Sequence, residues 1–253
     1  MRIISIINNK GGVGKTTTTQ NLAGFLARKG YLVGLIDFDG QGNLTDSFKI
    51  EDAKVDLLQA LTRDQKLSNQ DFSDTQLENV KILYNVKNIN SGTFGVIPEV
   101  KRLGALKRII GNLSFDFVLI DTAPSFDINT LCPLYASNDV LVPINFERYS
   151  VSGLSNLFET IELLNTEHNA KINILGVFAT KVDERLAITG AYRPMLEESI
   201  AGNYLQSFIR TNSKYQQAQD SSMDIFELDD FKGSEDYSKL GDEVLTKLNL
   251  NSN

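Results

Sequence analysis

The chain has 253 residues, 42% hydrophobic and 23% charged, which is enough for one well-buried α/β domain and ordinary for a soluble globular protein. No apolar run approaches the roughly 20 residues of a membrane span, and the opening MRIISIINN reads as a core strand rather than a signal peptide. The net charge of −7 argues against a general polyanion binder, but residues 216–253 alone hold nine acidic and three basic side chains, so a local basic patch elsewhere stays open. A lone cysteine, Cys132, allows neither an internal disulfide nor a cysteine metal cluster; it reads as a small buried apolar side chain in a reducing cytoplasm.

In chain order, an apolar strand at 3–8 enters a glycine turn and a helix at 16–29, then a strand at 32–37 ends in an acidic turn. Residues 52–90 are polar and irregular and read as a short helix plus loops. Further on, strands at 94–98, 117–121, 140–144 and 172–180 alternate with helices at 99–112, 128–137 and 151–167. A weaker strand at 205–210 and a last helix at 234–248 complete the pattern. Continuous apolar strands alternating with helices predict a doubly wound, mostly parallel sheet with helices on both faces, in a single domain over residues 1–253.

The turn after the first strand carries chemistry. In NNKGGVGKTTTTQ, Gly11, Gly12 and Gly14 let the backbone turn tightly and aim amides inward, with no side chain to obstruct a phosphate. The following helix adds its N-terminal amides and dipole. Lys15 reaches toward β- and γ-phosphates and the Thr16 hydroxyl toward Mg²⁺, with Val13 and Thr17 completing the cradle. A plain glycine-rich turn is the alternative; a strand before, a helix after and Gly-Lys-Thr in register favour phosphate binding.

Carboxylates sit at two other strand ends. In LIDFDGQGNLT, Asp37 ends a strand and Asp39 follows two residues later, on the same side of an extended segment and at the sheet's ligand-binding edge. In FVLIDTAPS, four apolar residues run into Asp121, as in a Walker B strand that holds Mg²⁺. Thr16, Asp37 and Asp121 form the candidate metal set. Solvated turn aspartates and helix caps are the plainer readings.

KGGVGKTT, with Asn9 where a glycine is expected and Lys10 ahead of the glycines, resembles the deviant Walker A loop of the ParA/MinD family of segregation and positioning ATPases. The resemblance covers most of residues 1–180 and implies an ATPase using ATP and Mg²⁺. It implies that Lys10 reaches the nucleotide of a second subunit in an ATP-closed homodimer, and that Lys10, Lys15 and Asp39 are catalytic, Asp39 orienting the attacking water. It implies a γ-phosphate switch over residues 122–126 and an adenine contact from Asn212 in IRTN, where a helix N-cap reads equally well. Gly40 stands where the family usually has proline. TKVD at 180–183 matches the Asn-Lys-x-Asp guanine signal of GTPases only without its asparagine, so GTP is a minor alternative.

Among family branches, one cysteine excludes the cluster-dependent ones. The last helix bears Asp242, Glu243 and Lys247 opposite its apolar stripe, unlike a cationic membrane-binding helix. With no helix-turn-helix ahead of the first strand, the chain is similar to short ParA proteins, which implies nonspecific DNA binding, a ParB-like partner that stimulates hydrolysis, and a cytoplasmic protein on the nucleoid when ATP-bound. Arg185, Arg210 and Lys214 are the candidate DNA contacts, with a second basic cluster at Lys101, Arg102, Lys107 and Arg108; each alone reads as an ordinary solvated charge. Glu147 reads as structural, near a dimer interface. The alternatives kept open are a membrane-associated positioning ATPase and a cytoplasmic metabolic or assembly ATPase.

Overall fold

The computed structural model describes residues 1–50, 53–85, 93–145, 150–183, 185, 198, 200, 202–228 and 230–250, with backbone alone at 150–152. Its strands are β1 (Arg2–Ile6), β2 (Val33–Phe38), β3 (Ser73–Asp74), β4 (Val80–Leu83), β5 (Phe117–Thr122), β6 (Asp139–Asn145), β7 (Asn173–Val182) and β8 (Tyr204–Arg210). They form one sheet in the order β3-β4-β2-β5-β1-β6-β7-β8, parallel throughout except where β3 meets β4. The helices are α1 (Lys15–Arg28), α2 (Asn43–Ser47), α3 (Leu57–Arg63), α4 (Glu99–Arg102), α5 (Ala105–Ile109), α6 (Ile128–Ala136), α7 (Ser150–His168), α8 (Lys214–Asp220) and α9 (Phe231–Lys247).

Why the strands are apolar throughout follows from this layering. On β1, Ile4 and Ile6 join one core with Leu22, Phe25 and Leu26 of α1 and Leu240, Val244 and Leu245 of α9, while Ile3 joins an opposite core with α3, α5 and α6. Both faces are covered, so alternate residues have no polar side to show. Cys132 lies fully buried in the second core, and burial pushes its thiol up to about 12. The apolar stripe of α9 packs on α1 and the sheet. No described helix is long and apolar enough to cross a membrane.

Three expectations differ from the structure. Residues 94–98 form no strand: Thr93–Val96 is a 3₁₀ turn, because the buried Phe94 and Ile97 are three residues apart and Gly95 and Val96 between them are exposed. The helix at 99–112 is broken at Gly104 into α4 and α5. The stretch at 52–90 holds, besides α3, the strands β3 and β4, and β4 pairs in parallel with β2. Its four residues are too short to separate from loop by pattern alone. The Glu147 reading falls outside the described residues.

Glycine 241 lets α9 approach α1: a Cβ there would run into the Phe25 ring. Helix propensity alone favours Gly241→Ala by about 1 kcal/mol, whereas overpacking costs about 1–3 kcal/mol. The variant is expected to melt at a lower temperature than the parent by scanning calorimetry; a higher melting temperature would mean that this contact does not limit helix packing.

Candidate functional site

The register aligns the sheet's carboxyl edge. Ile6 of β1, Asp121 of β5 and Asp37 of β2 are paired neighbours, so the loop leaving β1 and both carboxylates lie at one level. From Ile6 the chain enters the glycine loop. Asn8 donates its Nδ2 to the Pro143 carbonyl at 2.8 Å and accepts the Lys10 amide at 2.9 Å, which pins the loop's start to β6. Asn9 lies against α7, where a Cβ on Gly153 would meet its Oδ1 at 3.2 Å. Gly12 and Gly14 adopt φ of 71° and 87°, a region side chains avoid. Gly14 precedes α1 with no side-chain cap, so the first-turn amides of Lys15, Thr16 and Thr17 face the cleft.

The loop's far wall is held by a residue that motif reading passed over. The Thr180 hydroxyl lies 2.8 Å from the Val13 carbonyl and 3.1 Å from that of Ile144, tying the loop to β6 and β7. The signal was present in TKVD, a polar pair straight after a buried strand, but a guanine-recognition reading draws attention to Asp183 instead. Asp183 turns away and forms a two-pronged pair with Arg185.

Lys15 is buried and donates to the Lys10 carbonyl at 3.2 Å. Burial lowers its pKa, against the pull of Asp121 and Asp39. Asp37 and Asp121 are both fully buried. Burial pushes Asp37 up to about 6 despite amide hydrogen bonds from Thr45 and Asp39. Burial, then the neighbouring Asp37 charge, pushes Asp121 well above the carboxylate range. The oxygens of Asp37 are engaged by the Asp39 amide at 3.1 Å and the Thr45 amide at 2.8 Å. In Asp121, Oδ2 accepts the Thr16 hydroxyl at 2.6 Å, while the buried Oδ1 has no hydrogen-bond partner among the described residues. An orphaned, buried carboxylate oxygen beside a threonine hydroxyl and a phosphate cradle is a donor set that suits Mg²⁺. Thr16 and Asp121 fit the metal directly, and Asp37 adds charge beneath them.

Asp39 lies past the end of β2 on the cleft wall, its Oδ1 accepting the Gln41 amide at 3.0 Å. Gly40 supplies no proline stiffness here. Instead Asn85, unremarked in the sequence, donates its Nδ2 to the carbonyls of Asp37 at 3.1 Å and Asp39 at 2.7 Å and holds the turn.

The glycine loop, Asp39 and Thr180 line a cleft of about 960 Å³, large enough for a nucleotide, with Asp37 and Asp121 buried behind its wall. Its phosphate end is Gly11, Gly12, Gly14, Lys15, Thr16 and Thr17 with Asp39, and its other end is Ile209, Thr211, Asn212, Tyr215 and Gln216. Asn212 lines that end while donating to Asp230 and accepting the Lys214 amide, and Ser213, not Asn212, stands at the N-cap of α8. The candidate DNA contacts separate. Arg210 lines the cleft and is bound into Asp236 and Glu235 of α9, which raises its pKa further and leaves little of its charge for an outside partner. Arg185 and Lys214 are exposed, on Asp183 and Gln217 respectively. In the second basic cluster Arg108 pairs with Asp64, Arg102 donates to the Ile97 carbonyl and Lys107 covers the Tyr135 ring.

A family model described as "AAA domain" matches residues 1–174. The sporulation initiation inhibitor protein Soj of Bacillus subtilis is 35% identical over 73% of this chain and 74% of that protein. The chromosome-partitioning ATPase Soj of Treponema pallidum is 28% identical over 97% and 98%. Among solved structures, the septum site-determining protein MinD of Pyrococcus horikoshii, complexed with Mg-ADP, superposes with a TM-score of 0.74 at 26% identity over 96% of this chain and 95% of that one. With the loop, its two strand-end carboxylates and these similarities in agreement over most of its length, the chain belongs to the ParA/Soj family of phosphate-loop ATPases.

Proposed function

We propose that residues 1–253 act as one partition ATPase domain that binds Mg-ATP in this cleft, closes as a homodimer, and binds DNA without sequence preference until a ParB-like protein stimulates hydrolysis. The observation that carries the reading is the placement of Lys15, on the glycine loop that Lys10 enters, within electrostatic reach of buried Asp121 and of Asp39. Lys15 and the amides of residues 11–17 bind phosphates, and Thr16 and Asp121 would hold Mg²⁺, which would offset charge on the β- and γ-phosphates. Asp39, on the cleft wall, orients the attacking water. Lys10 precedes the glycines, where a lysine serves a nucleotide facing it from a second subunit. Arg185 and Lys214 supply the exposed cations for DNA phosphates, a patch that dimerisation doubles. The buried apolar face of α9 disfavours a lipid-binding role for the last helix and supports a cytoplasmic protein over a membrane-bound one.

Lys15→Ala is expected to abolish ATP binding by calorimetry; near-normal affinity would overturn the site. Asp39→Ala is expected to bind ATP normally and lose hydrolysis by about 10²-fold or more, the size of contribution made by a residue that positions the reacting group. Wild-type turnover in that variant would remove Asp39 from the mechanism.

Metal binding carries a pH signature. Asp37, pushed up to about 6, and Asp121, held well above the usual carboxylate range by burial, must be ionised to serve a cation, so at low pH Mg²⁺ displaces protons. The Mg²⁺-dependent part of ATP affinity is therefore present at high pH and lost as pH falls through about 6, by about tenfold per unit for each proton displaced. Titrations with Mg²⁺ and with chelator from pH 8 to pH 5.5 check this; a flat Mg²⁺ dependence refutes it.

The functional reading itself is tested by duplex-DNA binding with ATP, with ADP and without nucleotide, at low and moderate salt. ATP-dependent, salt-sensitive binding is expected. Its absence, with vesicle binding instead, would favour a membrane-positioning role.

A further inference from the structure

The TKVD segment leaves one group that the nucleotide chemistry above does not use. Lys181 follows Thr180 at the end of β7 and lines the same cleft. Its ammonium lies beside the phosphate loop: a Cβ placed on Gly12 would sit 3.9 Å from the Lys181 Nζ. Its backbone is attached to the other end of the cleft, because the Thr211 amide donates to the carbonyl of Val182, the next residue, at 2.9 Å. The four-carbon stem thus runs from the segment at 209–212 toward the phosphate cradle. Lys181 is exposed, and the acid nearest in sequence, Asp183, is taken by Arg185.

The backbone carries a second, independent observation. Lys181 has φ of 53°, a left-handed conformation that costs a β-carbon-bearing residue energy and that glycine adopts freely. Such conformations persist where the surroundings impose them, and they concentrate at ligand sites. Here an extended residue would carry its side chain away from the loop. Thr180, one residue before, is fixed by its hydroxyl against the Val13 and Ile144 carbonyls, so the turn at Lys181 is what aims the side chain along the cleft.

We propose that Lys181 is a nucleotide-binding residue: its ammonium contacts the phosphate chain from the side opposite Lys15. The inference rests on the nucleotide reading of the cleft and adds to it a group that the loop motif does not contain. A cation contacting phosphates common to ADP and ATP strengthens both complexes equally. It changes KM and leaves kcat, unlike Lys10 or Asp39, whose contributions belong to the transition state.

The test uses Lys181→Met, which keeps the stem and removes the charge, and Lys181→Gly, which also releases the backbone. Dissociation constants for ADP and for ATP are measured by calorimetry at low and moderate salt, with KM, kcat and the melting temperature of the nucleotide-free protein. Lys181→Met is expected to weaken ADP and ATP alike by about 10- to 150-fold, the range of one charge-assisted hydrogen bond. It should also lower the salt dependence, raise KM and leave kcat and melting unchanged. Lys181→Gly is expected to lose the same affinity with melting at or above the parent's. If the parent binds neither nucleotide, the reading of the cleft fails first. If the parent binds and Lys181→Met binds ADP equally well, this proposal fails alone. Lost affinity together with lower melting temperature in both variants would assign Lys181 a structural role and overturn it as well.

Discussion

Two carboxylates buried side by side set the terms for everything around them. Asp37 and Asp121 end adjacent parallel strands in direct register, fully out of water. Burying one charge is costly, and burying two like charges together costs more unless cations and donors converge on them. The protein answers in part. Backbone amides engage Asp37, the Thr16 hydroxyl engages one oxygen of Asp121, and the Lys15 ammonium is drawn into the same space. One ammonium faces two buried carboxylates, and Oδ1 of Asp121 has no hydrogen-bond partner among the described residues. A divalent cation would supply what this cluster of acids lacks.

That arrangement holds only while three loops from different strands keep their places. None is held by packing alone. Asn8 ties the β1 loop to β6, Thr180 ties it to β7, and Asn85 clamps the turn after β2 by its backbone carbonyls. All are short, uncharged side chains, buried or nearly so. They fix geometry without adding to an electrostatic balance already crowded with acids.

What could be read from residues follows from what each signal is made of. The glycine loop and the Asp37 and Asp121 strand ends are local patterns, in which strand, turn and helix N-terminus sit together in sequence, and the structure has them together in space. The doubly wound order is legible for the same reason, because each strand covered on both faces is apolar at every position. Asn85 was not legible as a site residue, because a neutral side chain that bonds a distant backbone carbonyl leaves no pattern in its own neighbourhood, while Thr180 sat in a visible signal whose partner, the Val13 carbonyl, did not show there. β4 escaped because four residues between polar loops do not reveal a period. At 94–98 an apolar cluster looked like a strand, although the three-residue spacing of Phe94 and Ile97 already spelled a tight helical turn. Arg210 shows the opposite limit. A basic residue near a surface looks available until α9 brings Asp236 and Glu235 against it.

The same helix does something further at the margin of the sheet. β8 is the last strand among the described residues, and outward-facing amides on such a strand invite another chain to continue the ladder. Glu243 of α9 takes the amides of Gln206 and Ser207, both at 2.9 Å, and Asp236 takes that of Arg210 at 2.9 Å. The acidity that skews the C-terminal region is therefore partly stationed as a fence. It leaves the border with few vacant donors to offer a passing strand, and it repels any newcomer that is itself acidic. Association through the margin of the sheet is thereby discouraged.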